Sequence, residues 1–464
     1  MHDLRIYPLK NMKRLTYLVL LIFLISSASQ AQTHTLKWVR VNNIHHKVMN
    51  TGYQGESAGG SWGQHVYHYF DNFVEPNWVS RAYHVGVSNW TDEDGNTHPA
   101  KTAGSAIWGS SPIENTMPVP LDAEGNTIKR YYRHEPPQIQ VGEFVLNQPF
   151  PLSGDEVAPE KIPGTADVMV ESKIRLPIGV EIHQRALAWS VPNHDDYIIF
   201  DWTFTNTGNV DLDEEVELPD QTLEKVYFMR GQDTRPGGEY VPWHSYYGAR
   251  PEDSLRIAYS YNEWQVEAPY DNFGRPSRAI GFIEAPQFVG EATIHVDESV
   301  SSTADDPSQP FMSAHSSMER NWFKTPFEDA SESQWRTLYT AMSEGFTGLD
   351  GAPKMEGAYP NTEHMPPMDL WASNSGLASP QEVDYQWHPA TFWSMGPYEM
   401  EPGDDFRIVW ATTIGSIDPR TAWDVGRAWL NGNAEWNGED NLPPPAELVY
   451  SRINPSENDM AKDH

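Results

Sequence analysis

The densest gathering of chemically useful side chains in this sequence is the run Asp233–Tyr247, DTRPGGEYVPWHSYY. Arg235, Glu239, Trp243, His244, Tyr246 and Tyr247 fall within it, and Pro236, Gly237 and Gly238 shape the backbone between them. A guanidinium and a carboxylate exchange hydrogen bonds with hydroxyl groups, and ring faces stack on sugar rings. These residue types on one loop therefore suit glycan recognition. The competing reading is a packed loop anchored by Trp243. A second pattern concerns cations. Asp92, Asp94 and Asn96 place oxygen-bearing side chains at positions 1, 3 and 5 of a calcium loop, with the carbonyl of His98 at position 7. Ca²⁺ is the only cofactor this pattern suggests. Thr97 stands where such a loop needs glycine, however, and Ala103 where it needs glutamate. Asp122-Ala123-Glu124-Gly125-Asn126 repeats the rhythm, which favours two hairpin turns with glycine at positive φ.

Asp211, Asp213, Glu214, Glu215 and Glu217 form another acidic run, which gathers the same ion if its loop folds back and is otherwise solvated. His65 and His68 lie among alternating aromatics, and His45 is next to His46. In strands the two rings of each pair face opposite sides, which argues against metal ligation. The chain has no HExxH motif, and no catalytic residue is assigned.

Composition narrows the function further. The formal net charge is −33, with 65 acids against 32 lysines and arginines. That balance argues against nucleic acid and against anionic lipid surfaces as partners. Cysteine is absent, which excludes thiolate catalysis, iron–sulfur clusters and a lipid anchor on an N-terminal cysteine. Near the start, Lys13 and Arg14 precede the apolar run Leu15–Ile25, and Ser29-Gln30-Ala31 sets small residues around a cleavage point. Residues 1–31 read as a secretory signal peptide, so the expected location is periplasmic, cell-surface or extracellular. No later segment approaches the length of a membrane-spanning helix. The 18 tryptophans suit either glycan stacking or a large β core.

These side chains must be positioned by strands. Ile198, Phe200, Trp202 and Phe204 alternate with Ile199, Asp201, Thr203 and Thr205 until the turn residues Asn206-Thr207-Gly208-Asn209. Further strands are expected at Gly179–Trp189, Leu223–Met229, Leu255–Tyr261, Arg278–Glu284, Ala292–Val296 and Phe406–Thr413. Strands separated by Gly, Pro and Asp turns indicate a mostly β fold, a large antiparallel sandwich-like body. Two accessory helices are expected. One opens with the capping box Ser331–Gln334 and presents Trp335, Leu338, Tyr339 and Met342. The other starts at Asp418-Pro419 and presents Ala422, Val425, Trp429 and Leu430. Ser111–Pro163 and Thr347–Pro389 read as long ordered loops, and Ser301–Pro310 as a polar loop. The expected domains are the signal at 1–31, a body at 32–440 of one or two closely packed parts, and a Pro-rich linker with a polar tail at 441–464.

The segments ALAWSVPNHDDYIIFDWTFTNTGN, TLEKVYF and FWSMGPYEMEPGDDFRIVWATTIGSIDPRTAWDVGRAWLNG carry a resemblance. From about Trp38 to Gly438 the chain resembles a family of uncharacterised exported bacterial β-rich proteins. Members often continue into fibronectin-like modules and a sorting domain for type IX secretion. The sequence ends shortly after Pro443-Pro444-Pro445, so neither addition is expected here. The resemblance implies export and no particular activity. The functional expectation is a surface-associated or extracellular protein that binds a glycan or an outer-membrane or extracellular protein. The alternatives are a carbohydrate-active lyase or hydrolase on a sandwich scaffold, and a structural part of an exported assembly.

Overall fold

A computed structural model describes residues 35–42, 44–52, 65–69, 73–105, 115–135, 139–141, 144–146, 154–235, 246–250, 256–261, 287–315, 331–344, 390–416 and 424. The chain divides into two units between Thr35 and Leu36, and every element described here belongs to the second. An eight-stranded sheet runs β1 (Leu36–Val39), β2 (Ile44–Met49), β3 (His65–Tyr69), β4 (Phe73–Thr91), β14 (Leu223–Arg235), β20 (Ala390–Met400) and β19 (Phe311–His315), with β5 (Thr97–Ser105) paired to β4. An eleven-stranded sheet runs β10 (Asp155–Val157), β7 (Ile128–Tyr132), β11 (Val168–Leu176), β12 (Val180–Ala188), β13 (Tyr197–Asn206), β21 (Asp405–Ser416), β17 (Gln287–Ser299), β16 (Ile257–Tyr261) and β15 (Tyr246–Arg250). There β6 (Met117–Val119) joins β11 and β18 (Ser302–Asp305) joins β17. A separate ladder pairs β8 (Ile139–Val141) with β9 (Phe144–Leu146). Neighbouring strands are antiparallel except β7 and β10.

The expected mostly β, antiparallel body is thus present. The alternation over Ile198–Thr205 has the phase read from the sequence: Ile198, Phe200, Trp202 and Phe204 are all fully buried. Phe406, Ile408 and Trp410 lie beside them on β21, in register with Phe204, Trp202 and Phe200. Tyr83 of the other sheet meets Trp202 edge-on at 5.1 Å, and Phe228 lies 4.8 Å from Phe204. The core therefore sits between the two sheets. Polar groups cross it as well. Trp90 donates to the carbonyl of Ile178, Gln184 to that of Met49, and Tyr83 to that of Thr51. Arg230 of β14 donates from Nε and Nη2 to both oxygens of Glu291 on β17, at 2.8 and 2.6 Å. Both residues are buried, Thr412 donates to the same carboxylate, and the guanidinium lies over the Trp410 ring.

One helix, α1 (Glu332–Glu344), packs Leu338, Ala341 and Met342 inward. Its capping box forms as expected: Ser331 N donates to Gln334 Oε1 and Gln334 N to Ser331 Oγ. Gly86 of β4 leaves room for Met342 and Tyr339, since a Cβ there would lie 2.6 Å from the Met342 sulfur. No described helix is long and apolar enough to cross a membrane.

Two expectations need correction. Ser111–Pro163 is not simply a long loop, because β6 to β10 lie within it. Ile128–Tyr132 hides its strand character behind Lys129 and Arg130, whose charges are matched by Asp122, Glu156 and Asp155. The polar stretch Ser301–Pro310 likewise contains β18, where Asp305 accepts from Val296 N and from Arg256. His45-His46 and His65–His68 lie in strands β2 and β3, as the surrounding alternation suggested. The strand expected at Arg278–Glu284, the loop at 347–389, the tail at 441–464 and residues 1–34 lie outside the described residues, as does the second helix apart from residue 424.

Candidate binding surface

The run Asp233–Tyr247 connects two layers. Arg235 ends β14 in the eight-stranded sheet, opposite Trp78 of β4. Tyr246 and Tyr247 open β15 in the eleven-stranded sheet, opposite Tyr261 and Ser260. Glu239, Trp243 and His244 lie outside the described residues.

The two Asp–Asn segments form matching turns. Asp92 accepts from Asn96 N at 2.7 Å, from Asn96 Nδ2 and from the His98 ring, while Gly95 takes φ +82°. The backbone N–H of Asn96, opposed by partial desolvation, holds the Asp92 carboxyl down to about 2. Asp122 accepts from Asn126 N and Nδ2 and from Lys129, with Gly125 at φ +81°. Asp92 and Asn96 therefore meet each other across a turn, and Asp94 stays exposed at its tip. Among the described residues, the acids close enough to share an ion are Asp211, Asp213 and Glu217. Their loop is stitched by main-chain bonds, Asp213 N to Asp211, Glu215 N to Asp213 and Val210 N to Glu217.

A surface not assembled from the sequence emerges on the outer face of the eleven-stranded sheet. Strand alternation turns the odd-numbered residues of β11, β12, β13 and β21 away from the core. The register stacks them in rows. Glu171, Arg185, Asp201 and Val409 form one row, and Lys173, His183, Thr203 and Arg407 form the next. Asp201 is nearly buried and accepts from Arg185 Nη2 at 2.6 Å and from Arg407 Nε and Nη2 at 2.7 and 3.0 Å. The Asp201 bonds raise the pKa of the Arg407 guanidinium against its partial burial. Glu171 bonds His183 at 2.6 Å and also the Tyr131 hydroxyl. Burial alone would raise the Glu171 carboxyl, but the bonds from His183 and Tyr131 and the Arg185 charge outweigh it, and the net shift is downward. Burial and the Glu171 charge push Tyr131 well above the ordinary phenol value. These are fixed charges, each held by its neighbours on adjacent strands.

Moving along β12 toward the Val191–Asp196 connection, the surface changes character. Leu187, Ile199 and Ala411 form an apolar row, and beyond it Trp189 stands next to Tyr197, with ring centroids 5.7 Å apart at 53°. Trp189 is half-buried against Leu187, Met169 and their neighbours, and its indole N–H donates to Thr165 Oγ1. The Tyr197 hydroxyl meets His194 Nδ1 at 2.5 Å. Across from Trp189, Asp167 receives Ser190 N and Oγ, both on Oδ2 at 2.7 Å. Two rigid rings and exposed polar atoms thus end a charged ladder. The sequence held this signal as alternation at Glu181, His183, Arg185, Leu187 and Trp189, but only the register joins those residues to Asp167, Asp201, Tyr197 and Arg407.

A scan against protein-family models finds no match, and a search of curated proteins finds no significant relative.

Proposed function

We propose that this chain is an exported binding protein, without catalysis of its own, that engages a glycan through the outer face of the eleven-stranded sheet. The observation that carries the reading is the ring pair Trp189 and Tyr197 at the end of a charge-paired sheet face. Rings with locked orientation offer contact area at low entropic cost, and the ordered charges beside them supply hydrogen bonds without rearrangement. A protein partner is the alternative occupant. The signal-like N-terminus supports a partner outside the cytoplasm.

A glycan array on residues 32–464, run beside a pull-down from outer-membrane extract, tests the reading. Ala411→Arg sets a bulky cation in the middle of the face without touching the charge pairs. Glycan signals given by the wild type and lost in this variant are expected. Capture of a protein with no glycan signal would assign the face to a protein partner, and signals indifferent to Ala411→Arg would remove the face from the function. One arrangement favours an enzymatic reading, because Tyr131, Glu171, His183 and Arg185 converge as a proton-transfer set would. The raised Tyr131 and lowered Glu171 instead suit a static network. New reducing or unsaturated ends released from a bound glycan would reverse that preference.

A further inference from the structure

We infer that the row Asp167–Trp189–Tyr197, with His194, is a subsite for a neutral pyranose ring; this rests on the glycan reading above and names the sugar class. The rows of the face are about 7 Å apart along a strand, so this row stands clear of the Arg185–Asp201–Arg407 group by two rows. Its own chemistry is different. Trp189 is fixed on one side by the cluster of Met169, Leu187 and Ile162 and at its N–H by Thr165. Trp189 and Tyr197 stand at 53° with centroids 5.7 Å apart, and the His194 ring meets Tyr197 edge-on at 5.9 Å, so the three rings form one aromatic group. C–H-rich faces of a pyranose pack on such rings, and the sugar's hydroxyls then point to the rim.

The rim offers polar atoms. Both Ser190 bonds fall on Asp167 Oδ2, so Oδ1 has no partner among the described residues. His194 uses Nδ1 toward Tyr197, which leaves Nε2 on an exposed ring. One carboxylate oxygen and one ring nitrogen on either side of a stacking face suit a ring with several hydroxyl groups. The charge of this rim sets the class. Asp167 lies across from Trp189 with Oδ1 turned away from Ser190. A uronate or sulfate would face this carboxylate, whereas a neutral ring can donate to it.

Titration calorimetry with maltohexaose, cellohexaose and laminarihexaose, and with a hexagalacturonate, tests the assignment. At least one neutral hexasaccharide is expected to bind and the hexagalacturonate to bind more weakly. Trp189→Ala should weaken the neutral ligand about tenfold, the scale of losing one aromatic platform, while Trp189→Phe keeps most of the affinity. Asp167→Asn should weaken it less and narrow the gap to the hexagalacturonate. Unchanged melting of the variants separates lost contacts from lost folding. A preference for hexagalacturonate, or neutral binding indifferent to Trp189→Ala and Asp167→Asn but lost in Ala411→Arg, would overturn the subsite and leave the sheet face standing. Binding indifferent to all of these variants, or no binding by any hexasaccharide, would overturn both.

Discussion

Arg230 and Glu291 form a bidentate ion pair sealed between two sheets, and such a pair is worth most when one half is removed. Arg230→Met leaves a buried carboxylate, with Thr412 still donating to it, and should cost about 3–5 kcal/mol of unfolding free energy in urea. Arg230→Met with Glu291→Leu should cost less than the sum of the single changes, because no charge is left stranded. Neither partner could be recognised from sequence. They are 61 residues apart, on strands of different sheets, and a lone arginine in the middle of Leu223–Arg235 reads as solvent-facing. His84 poses a related problem with the opposite outcome. Its ring is wholly buried, and burial pushes its pKa down to about 3. The unfolded chain takes that proton near the ordinary value of about 6.5. Between these values the unfolded state holds a proton that the folded state refuses, so stability is complete above pH 6.5 and falls as pH drops. The slope from this one ring is at most about 1.4 kcal/mol per pH unit. Urea midpoints taken from pH 7 to pH 5 should fall less steeply for His84→Gln than for the wild type; parallel lines would show that the ring titrates normally.

Helix α1 and strand β7 show which elements a sequence discloses. The α1 start was legible because its signal is local: Ser331 and Gln334 satisfy each other's backbone N–H groups within one turn. Ser331→Ala should therefore cost about 1 kcal/mol, and hydrogen exchange should quicken in Glu332–Glu344 while β13 and β21 keep their protection. Equal loss in both would mean that α1 is part of the global unfolding unit. The aromatic contacts of α1 were harder to foresee. Lys101 of β5 sits 3.4 Å over the Trp335 ring, so β5 and α1 are joined by a cation–π contact between residues far apart in sequence. Strand β7 escaped detection because Lys129 and Arg130 interrupt its apolar pattern, and their acids come from turns and strands elsewhere. The outer face escaped for the same reason on a larger scale. Arg407 reaches Asp201 across 206 residues, a pairing that follows from β13 lying beside β21. Periodicity gave the phase of each strand, and nothing in it states which strands are neighbours.

The two layers are held as one body by aromatic packing, and this property belongs to the whole chain. Trp202 touches Tyr83 and Phe228 from one sheet and Phe204 and Trp410 from its own. Trp202→Ala should cost about 3–5 kcal/mol. Trp202→Phe should cost clearly less, because it keeps a ring and removes an indole N–H with no acceptor among the described residues. The same body also fixes where the chain can be trimmed. Strand β1 begins at Leu36, and Lys37 donates to the fully buried carboxylate of Asp155, which Arg130 shares. Arg130 in turn donates to the carbonyl of Trp38, so β1 is clipped to β7 and β10 of the facing sheet. Cleavage after Ala31, where the signal-peptide pattern points, removes nothing from this clip and leaves four residues ahead of β1. Cleavage beyond Lys37 would leave Asp155 with half its counter-charge. Peptide mass spectrometry of the chain recovered outside the cytoplasm should find Gln32 at the N-terminus. Residues 32–464 should melt at the same temperature as the longer precursor, while a chain starting at Trp38 should melt lower. A mature protein that retains Leu15–Ile25 would refute the cleavage site, and equal melting of the chain starting at Trp38 would show that the Lys37 clip contributes nothing.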